Sequence, residues 1–265
     1  AAHLRCAYQV PRMKSRVTIS SIIAALLSAV LCGSITSRAL SQGLYNASNL
    51  YIKGADVHVG GAVRNTGVLE NDGHLAFSAD WDSKGIYGGE GSLEVYGSGS
   101  QKLCHYGQNV ANLLVNGWGT KYIKGVINVT REFHLKQGIV EVSSQDVLKL
   151  HDDVSIVGGH DDSYVDGPLT AKGTGYRFFP VGKKGTYAPI EFLDVQGEWP
   201  EFSVEVFEDA PLLSVEDVII RSGLYWHRKD IRGTFSGSAI AIDFERDYFQ
   251  DPLNIILVAG HAWNQ

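Results

Sequence analysis

Cut into sixes from Gly61, the chain reads GAVRNT, GVLEND, GHLAFS, ADWDSK, GIYGGE, GSLEVY, GSGSQK. Six of these seven blocks open on glycine, and the fourth opens on Ala79. Thirty glycines in 265 residues would place about one there by chance. The third position is Val63, Leu69, Leu75, Trp81, Tyr87 and Leu93 before it lapses at Gly99. Side chains alternate along a strand, so positions 3 and 5 of a block share one face. Each hexad therefore predicts a short strand with an inward third residue, followed by a corner. Glycine at position 1 suits a corner that needs a positive φ. Asn65 and Asn71 at position 5 suit stacked corner amides. One such strand cannot bury its own inward face, but stacked coils can, which predicts a β-solenoid.

The register extends back through Val57 and fades after Gly99, while strand and turn character continues to Gly159. Turns are expected at Gly117, Gly125, Gly138 and Gly158. At roughly 20–30 residues per coil, residues 43–165 make about five coils. An antiparallel sandwich built from hairpins is the competing reading of this half.

The stretch 163–192 holds three prolines, five glycines and the pair Phe178-Phe179. An exposed last coil is an unpaired edge. Tyr164, Val165, Pro168, Phe178, Phe179 and Pro180 are expected to close it: the prolines stop further pairing and a phenylalanine covers the core. From Tyr187 the runs APIEFLDV, EFSVEVF, GLYWHR, SAIAIDF and NIILVAG lengthen. They predict an antiparallel β-sandwich. The expected fold is all-β, a parallel β-helix over 42–182 with its capping segment and a β-sandwich over 183–265.

Met13, Lys14 and Arg16 precede the apolar run Ile22 to Leu31 and then Ala39-Leu40-Ser41. That order predicts a secretory signal peptide over 13–41. The apolar run is too short for a membrane span. Bulky Leu31 before Cys32 weighs against a lipid anchor on that cysteine. Residues 1–12 read as upstream sequence. Removing 1–41 takes away Arg5, Arg12, Lys14, Arg16 and Arg38, leaving 18 bases against 29 acids, a net of −11. An acidic surface disfavours nucleic acid and anionic membranes as partners. Cys104 alone then remains, so stability is expected from burial and backbone pairing rather than from a disulfide.

Candidate chemistry is sparse. HDD occurs at 151–153 and 160–162, followed by Asp166. Dense carboxylates suit Ca²⁺, but the motif does not repeat, and solvated turns explain it. The pairs Asp80/Asp82, Glu208/Asp209 and Glu216/Asp217 have the residue types of glycoside hydrolysis. Solenoid enzymes need acids converging on one groove, whereas Glu70 and Glu94 fall at position 4 and Asp72 and Glu90 at position 6. No H-x-H, H-E-x-x-H or Cys/His cluster is present for zinc, and no G-x-S-x-G elbow. Trp199, Tyr225, Trp226 and Trp263 are candidates for a sugar-stacking platform, with at least one ring of Tyr225-Trp226 expected in the core. No catalytic, cofactor or metal residue is assigned.

In order along the chain, GAVRNTGVLENDGHLAF, GSGSQKL, NLLVNG, KYIKGVINVTREFHLKQGIVEV, SYVDGPL, FFPVGKKGTYAPIEF, YWHRKDIRGTFSGSAIAIDF and LVAGHAWNQ resemble the large secreted surface proteins of Bacteroidota. Those proteins combine solenoid-like repeats with a β-sandwich and are exported by the type IX secretion system. The resemblance covers nearly all of 43–265. It implies a C-terminal sorting domain beyond Gly260-His261-Ala262-Trp263, hence a chain continuing past Gln265. The expected function is a non-enzymatic, extracellular, cell-surface module of adhesin type. Its expected partners are surface glycans or other cell-surface proteins, with no membrane insertion of the mature chain. The alternative is a polysaccharide-binding or polysaccharide-degrading β-helix protein.

Overall fold

The hexads form short strands that pair in parallel with strands three hexads away. Leu44–Asn46, Val63–Asn65 and Trp81–Ser83 stack in register, and Leu103 to His105 follows. Val68 to Glu70 lies under Ile86–Gly88, and His74 to Phe77 lies under Ser92–Val95, each 18 residues on. The computed structural model describes residues 43–208 and 224–242. Among them there is no helix, and a parallel solenoid makes about seven turns. Three hexads per turn give three faces. The turn is thus shorter than the 20–30 residues expected, and the turns are more numerous than five. Past the register the step lengthens, to 21 residues between Val126 and Val147 and 25 between Val140 and Val165. The long extended run Gln101–Glu141 winds around the solenoid, bending at Gly107, Gly119, Gly125 and Gly138, all with positive φ.

Leu69 and Leu75 are both fully buried, but they occupy two stacks rather than one. Leu69 sits between Leu50 and Tyr87, and Leu75 between Val57 and Leu93. Neighbouring hexads lie on adjacent faces of one turn, so a residue's stacking partner is three hexads away. At position 5 the amides do form a ladder. Asn46 Nδ2 donates to Asn65 Oδ1 at 2.8 Å, and Asn65 Nδ2 to Ser83 Oγ at 3.1 Å. The same nitrogens reach the carbonyls of Val68 and Ile86, which keeps these buried corner amides satisfied.

The glycine column has a different cause from the one expected. Gly67, Gly73, Gly85 and Gly91 are not in the positive-φ region. A Cβ at Gly85 would instead lie 2.1 Å from Gly67 O, and one at Gly91 2.2 Å from Gly73 O. The corners of successive turns touch backbone to backbone, and only glycine permits that approach. Gly85→Ala is expected to lose about 2–3 kcal/mol through overpacking. Gly99→Ala, with open space around its Cβ, is expected to stay within about 0.5 kcal/mol. Urea unfolding of both variants checks the contrast.

Where the register breaks, polar side chains fill in. Gln101 Nε2 donates to Ala79 O in the turn before. Lys121, fully buried, donates to the carbonyls of Gly97, Gly99 and Trp118 at 2.6, 3.1 and 2.7 Å. These close the inserted Ser98–Ser100 corner. Burial pulls the Lys121 ammonium down to about 8.

Phe77, Trp81, Tyr87 and His105 form an aromatic core. Trp81 Nε1 donates to His105 Nδ1 at 3.3 Å, and His105 Nε2 lies 3.1 Å from Gln108 O, which suits a neutral ring protonated at Nε2. Burial lowers its pKa from 6.5 to about 4. The folded state therefore binds fewer protons than the unfolded state between these values. The His105 contribution is complete above pH 6.5 and is lost as pH falls from 6.5 to about 4, by about 3 kcal/mol. Urea unfolding at pH 7, 5.5 and 4 is expected to show this loss, reduced in His105→Gln.

At the far end the pairing does not stop at the prolines. Val165–Asp166 pairs in parallel with both Val140 to Glu141 and Val181 to Gly182, and Pro168 and Pro180 occupy corners between strands. Closure comes from a change of direction. Leu169–Lys172 is parallel to Val147–Leu150 on one side and antiparallel to Glu201–Glu208 on the other, and Leu224–Arg232 follows antiparallel. A second sheet holds three antiparallel strands, Gly175–Phe179, Ile190–Val195 and Ile240–Ile242. Phe179, Phe192, Phe202 and Phe235 pack between the two sheets with ring centroids 5.2–6.1 Å apart. Phe179 thus covers the core as expected, while Phe178 is half-buried. Leu224–Arg232 presents exposed His227, Arg228, Lys229, Asp230 and Arg232, a charged pattern that discourages edge-to-edge association. The segment expected to be a signal peptide (13–41, with Cys32), residues 1–12, NIILVAG and the terminal Gly260–Trp263 segment lie outside the described residues.

Candidate functional site

The densest group of titratable side chains lies on the outside of the third face of the solenoid. Val57, Leu75 and Leu93 point inward there, so Asp56, His58, His74 and Glu94 point outward. The register sets Asp56 opposite His74, and His58 and Glu94 on either side of Ala76. His74 Nε2 lies 2.7 Å from Glu94 Oε2, and His74 Nδ1 lies 3.5 Å from Asp56 Oδ1. Asn116 Nδ2 donates to Glu94 Oε1 at 2.7 Å. His58 meets His74 edge-on at 5.5 Å and Tyr96 at 6.1 Å. Tyr96 in turn donates to Val59 O at 3.0 Å. The layer roofs Ala76, which is fully buried although it faces outward.

This is a polar ladder with one rung per turn: Asp56, His74, Glu94, Asn116. Both carboxylates are turned to the same imidazole, and the second oxygen of Glu94 is held by Asn116. Paired acid–base catalysis needs one carboxyl kept protonated and one ionised across a substrate gap. Here the imidazole fills the space between them, so the ladder is suited to clamping four turns together. Its exposed side, chiefly Asp56, can accept hydrogen bonds from a polar ligand.

The acids singled out in the sequence are used in the same way. Asp80 Oδ1 accepts the Lys102 N–H at 2.8 Å, and Asp82 pairs with Arg64 at 3.8 Å. Asp72 Oδ1 accepts the Glu90 N–H at 3.1 Å, and Glu90 pairs with Arg131 at 3.1 Å. Glu208 pairs with Lys184; Asp209, Glu216 and Asp217 lie outside the described residues. Among the HDD turns, Asp161 accepts the Tyr187 N–H, and Asp162 donates its own N–H to His160 Nδ1. Asp166 pairs with Lys183 at 2.7 Å. Among the described residues no group of three or more His, Cys, Asp or Glu is placed to hold a metal ion. The Cys104 thiol is half-buried, and burial together with Asp82 and Asp80 pushes its pKa up, away from the reactive thiolate.

The aromatics divide by role. Trp226 packs against the core and donates Nε1 to Ala188 O at 2.8 Å; Tyr225 stacks on Phe207 at 5.4 Å. Trp199 is 70% exposed at a φ of 51°, and Trp263 lies outside the described residues. His58, His74 and Tyr96 were not singled out from the sequence. All three fall at even, outward hexad positions, but their spacings of 16 and 22 residues mark them as neighbours only once three hexads are known to make a turn. No protein-family model matches the chain, and neither curated proteins nor solved structures give a match.

Proposed function

We propose that this chain is a non-enzymatic, secreted cell-surface module of adhesin type, in which the solenoid acts as a stiff spacer. The observation that carries this reading is the use of outward charge. Arg64–Asp82, Arg131–Glu90 and Lys124–Asp146 each join residues 18 to 41 positions apart in the chain. Charges are spent on binding coil to coil rather than gathered around a groove. The likeness to the secreted surface proteins of Bacteroidota supports the same reading. On that reading the strands after residue 183 belong to a β-sandwich carried at the end of the solenoid, and the −11 mature chain is displayed outside the cell without entering the membrane.

Protease shaving of intact source cells tests display, and a panel assay for reducing ends and unsaturated products tests catalysis. The expected result is removal of the protein from the cell surface and no turnover of neutral or acidic polysaccharides. Turnover abolished by Glu94→Gln would replace this reading with an enzyme. A second reading, glycan binding, is favoured by the exposed indole of Trp199, since an aromatic face held in water suits stacking on a sugar ring.

A further inference from the structure

Where the last solenoid turns meet the second sheet there is a cleft of about 300 Å³. Its lining includes Val154 and Ile156 from the solenoid and Tyr176 and Phe178 from the second sheet. The polar groups come from two places. Asp152 belongs to the first HDD turn, and Arg177 to the strand Gly175–Phe179. They converge over Gly173, whose φ is 100°. A Cβ there would lie 2.2 Å from Arg177 Nη2 and 3.0 Å from Asp152 Oδ1. Glycine is thus the residue that lets the two groups come together.

The pair is left open. Arg177 Nε donates to Lys172 O at 3.1 Å and Nη1 to Tyr176 O at 2.7 Å, which fixes the guanidinium plane. Among the ion pairs of the described residues there is none between Arg177 and Asp152. Asp152 Oδ1 is buried and has no hydrogen-bond partner. A buried acceptor without a donor is costly, and a donor stands beside it. A vicinal diol presents one hydroxyl that can donate to a carboxylate and one that can accept from a guanidinium, and a pyranose ring offers an apolar face to an aromatic side chain. A cleft of this size, with mixed apolar and polar lining and two convergent charged groups, has room for a small ligand.

We propose that this cleft binds one neutral pyranose unit of a glycan, with Asp152 and Arg177 holding a diol and the exposed ring of Tyr176 against the sugar ring. The assignment rests on the glycan-binding reading and gives it a place; the spacer role does not depend on it. The probes are the methyl pyranosides of glucose, galactose, mannose and N-acetylglucosamine, with glucuronate as the acidic control. Saturation-transfer NMR on the whole protein is the readout. Asp152→Asn keeps the shape and Tyr176→Ala removes an exposed ring, so both are expected to melt as the wild type does. The proposal expects transfer to at least one neutral pyranoside, with affinity at least tenfold weaker in each variant and no preference for glucuronate. Absence of transfer from every neutral probe overturns both this site and its glycan reading. Transfer that survives both substitutions but disappears in Trp199→Ala overturns this site and leaves glycan binding standing elsewhere.

Discussion

A Leu75→Asp variant is expected to show no cooperative unfolding transition and to lack the near-ultraviolet core signal of the wild type. Leu75 is fully exposed-surface-free, stacked between Val57 and Leu93 in the centre of the first turns. Leu→Ala at such a site costs about 2–5 kcal/mol. Aspartate adds a buried charge with no cation in the stack to pair with it, a penalty of several kcal/mol more before its pKa shifts. The total is comparable to the whole stability of a domain, about 5–15 kcal/mol. Among the described residues there is no disulfide, Cys104 being free, so no crosslink offsets the loss. Loss of near-ultraviolet circular dichroism at 25 °C checks this. Wild-type-like melting of Leu75→Asp would refute the inward stack.

Trp81→Ala is expected to cost about 3–5 kcal/mol. The indole is almost wholly buried, stacked on Phe77 at 5.4 Å and edge-on to Tyr87 at 5.4 Å. Its removal opens a cavity at the start of the third turn and takes the N–H away from His105 Nδ1. Trp81→Phe keeps most of the packing and loses the donor, so about 1 kcal/mol is expected from it. Urea midpoints at pH 7 with unchanged slopes check the order of the two variants. A cost below about 1 kcal/mol for Trp81→Ala would mean that the hexads do not close around this ring.

The strands and their inward faces were legible because a hexad carries both periods at once. Leu69, Leu75 and Trp81 fall on the buried parity, and Asn65 on the corner ladder, for reasons contained within six residues; Asn71, also at position 5, donates instead to the Tyr87 hydroxyl and the Ser92 carbonyl. The length of a turn was not legible. Nothing inside a hexad says how many make a coil, and the answer depends on corners that meet backbone to backbone. Gly67 and Gly85 hold that information only as a pair, eighteen residues apart. The outer ladder of Asp56, His74 and Glu94 stayed hidden for the same reason. The end of the solenoid misled in a different way. Pro168 and Pro180 do lack donors, but their positions are corners where no ladder donor is needed, so pairing continues through Val165 and Val181. Asp152 and Arg177 are joined by a fold-level event, the arrival of the second sheet over the last turns, and their spacing along the chain carries no trace of it.

Successive turns lie in register, with outward side chains paired coil to coil. Asp82 and Cys104 are register partners, and both point outward. Parallel neighbours stand about 4.8 Å apart, within the reach of a disulfide. A single Asp82→Cys substitution therefore sets a new thiol directly against the native Cys104. Peptide mapping after mild oxidation is predicted to find the 82–104 disulfide in high yield, and to find none to Cys104 in Lys84→Cys, whose position is displaced by two residues along the strand. Equal crosslinking from position 84, or no crosslink from position 82, would contradict the register on which the account rests.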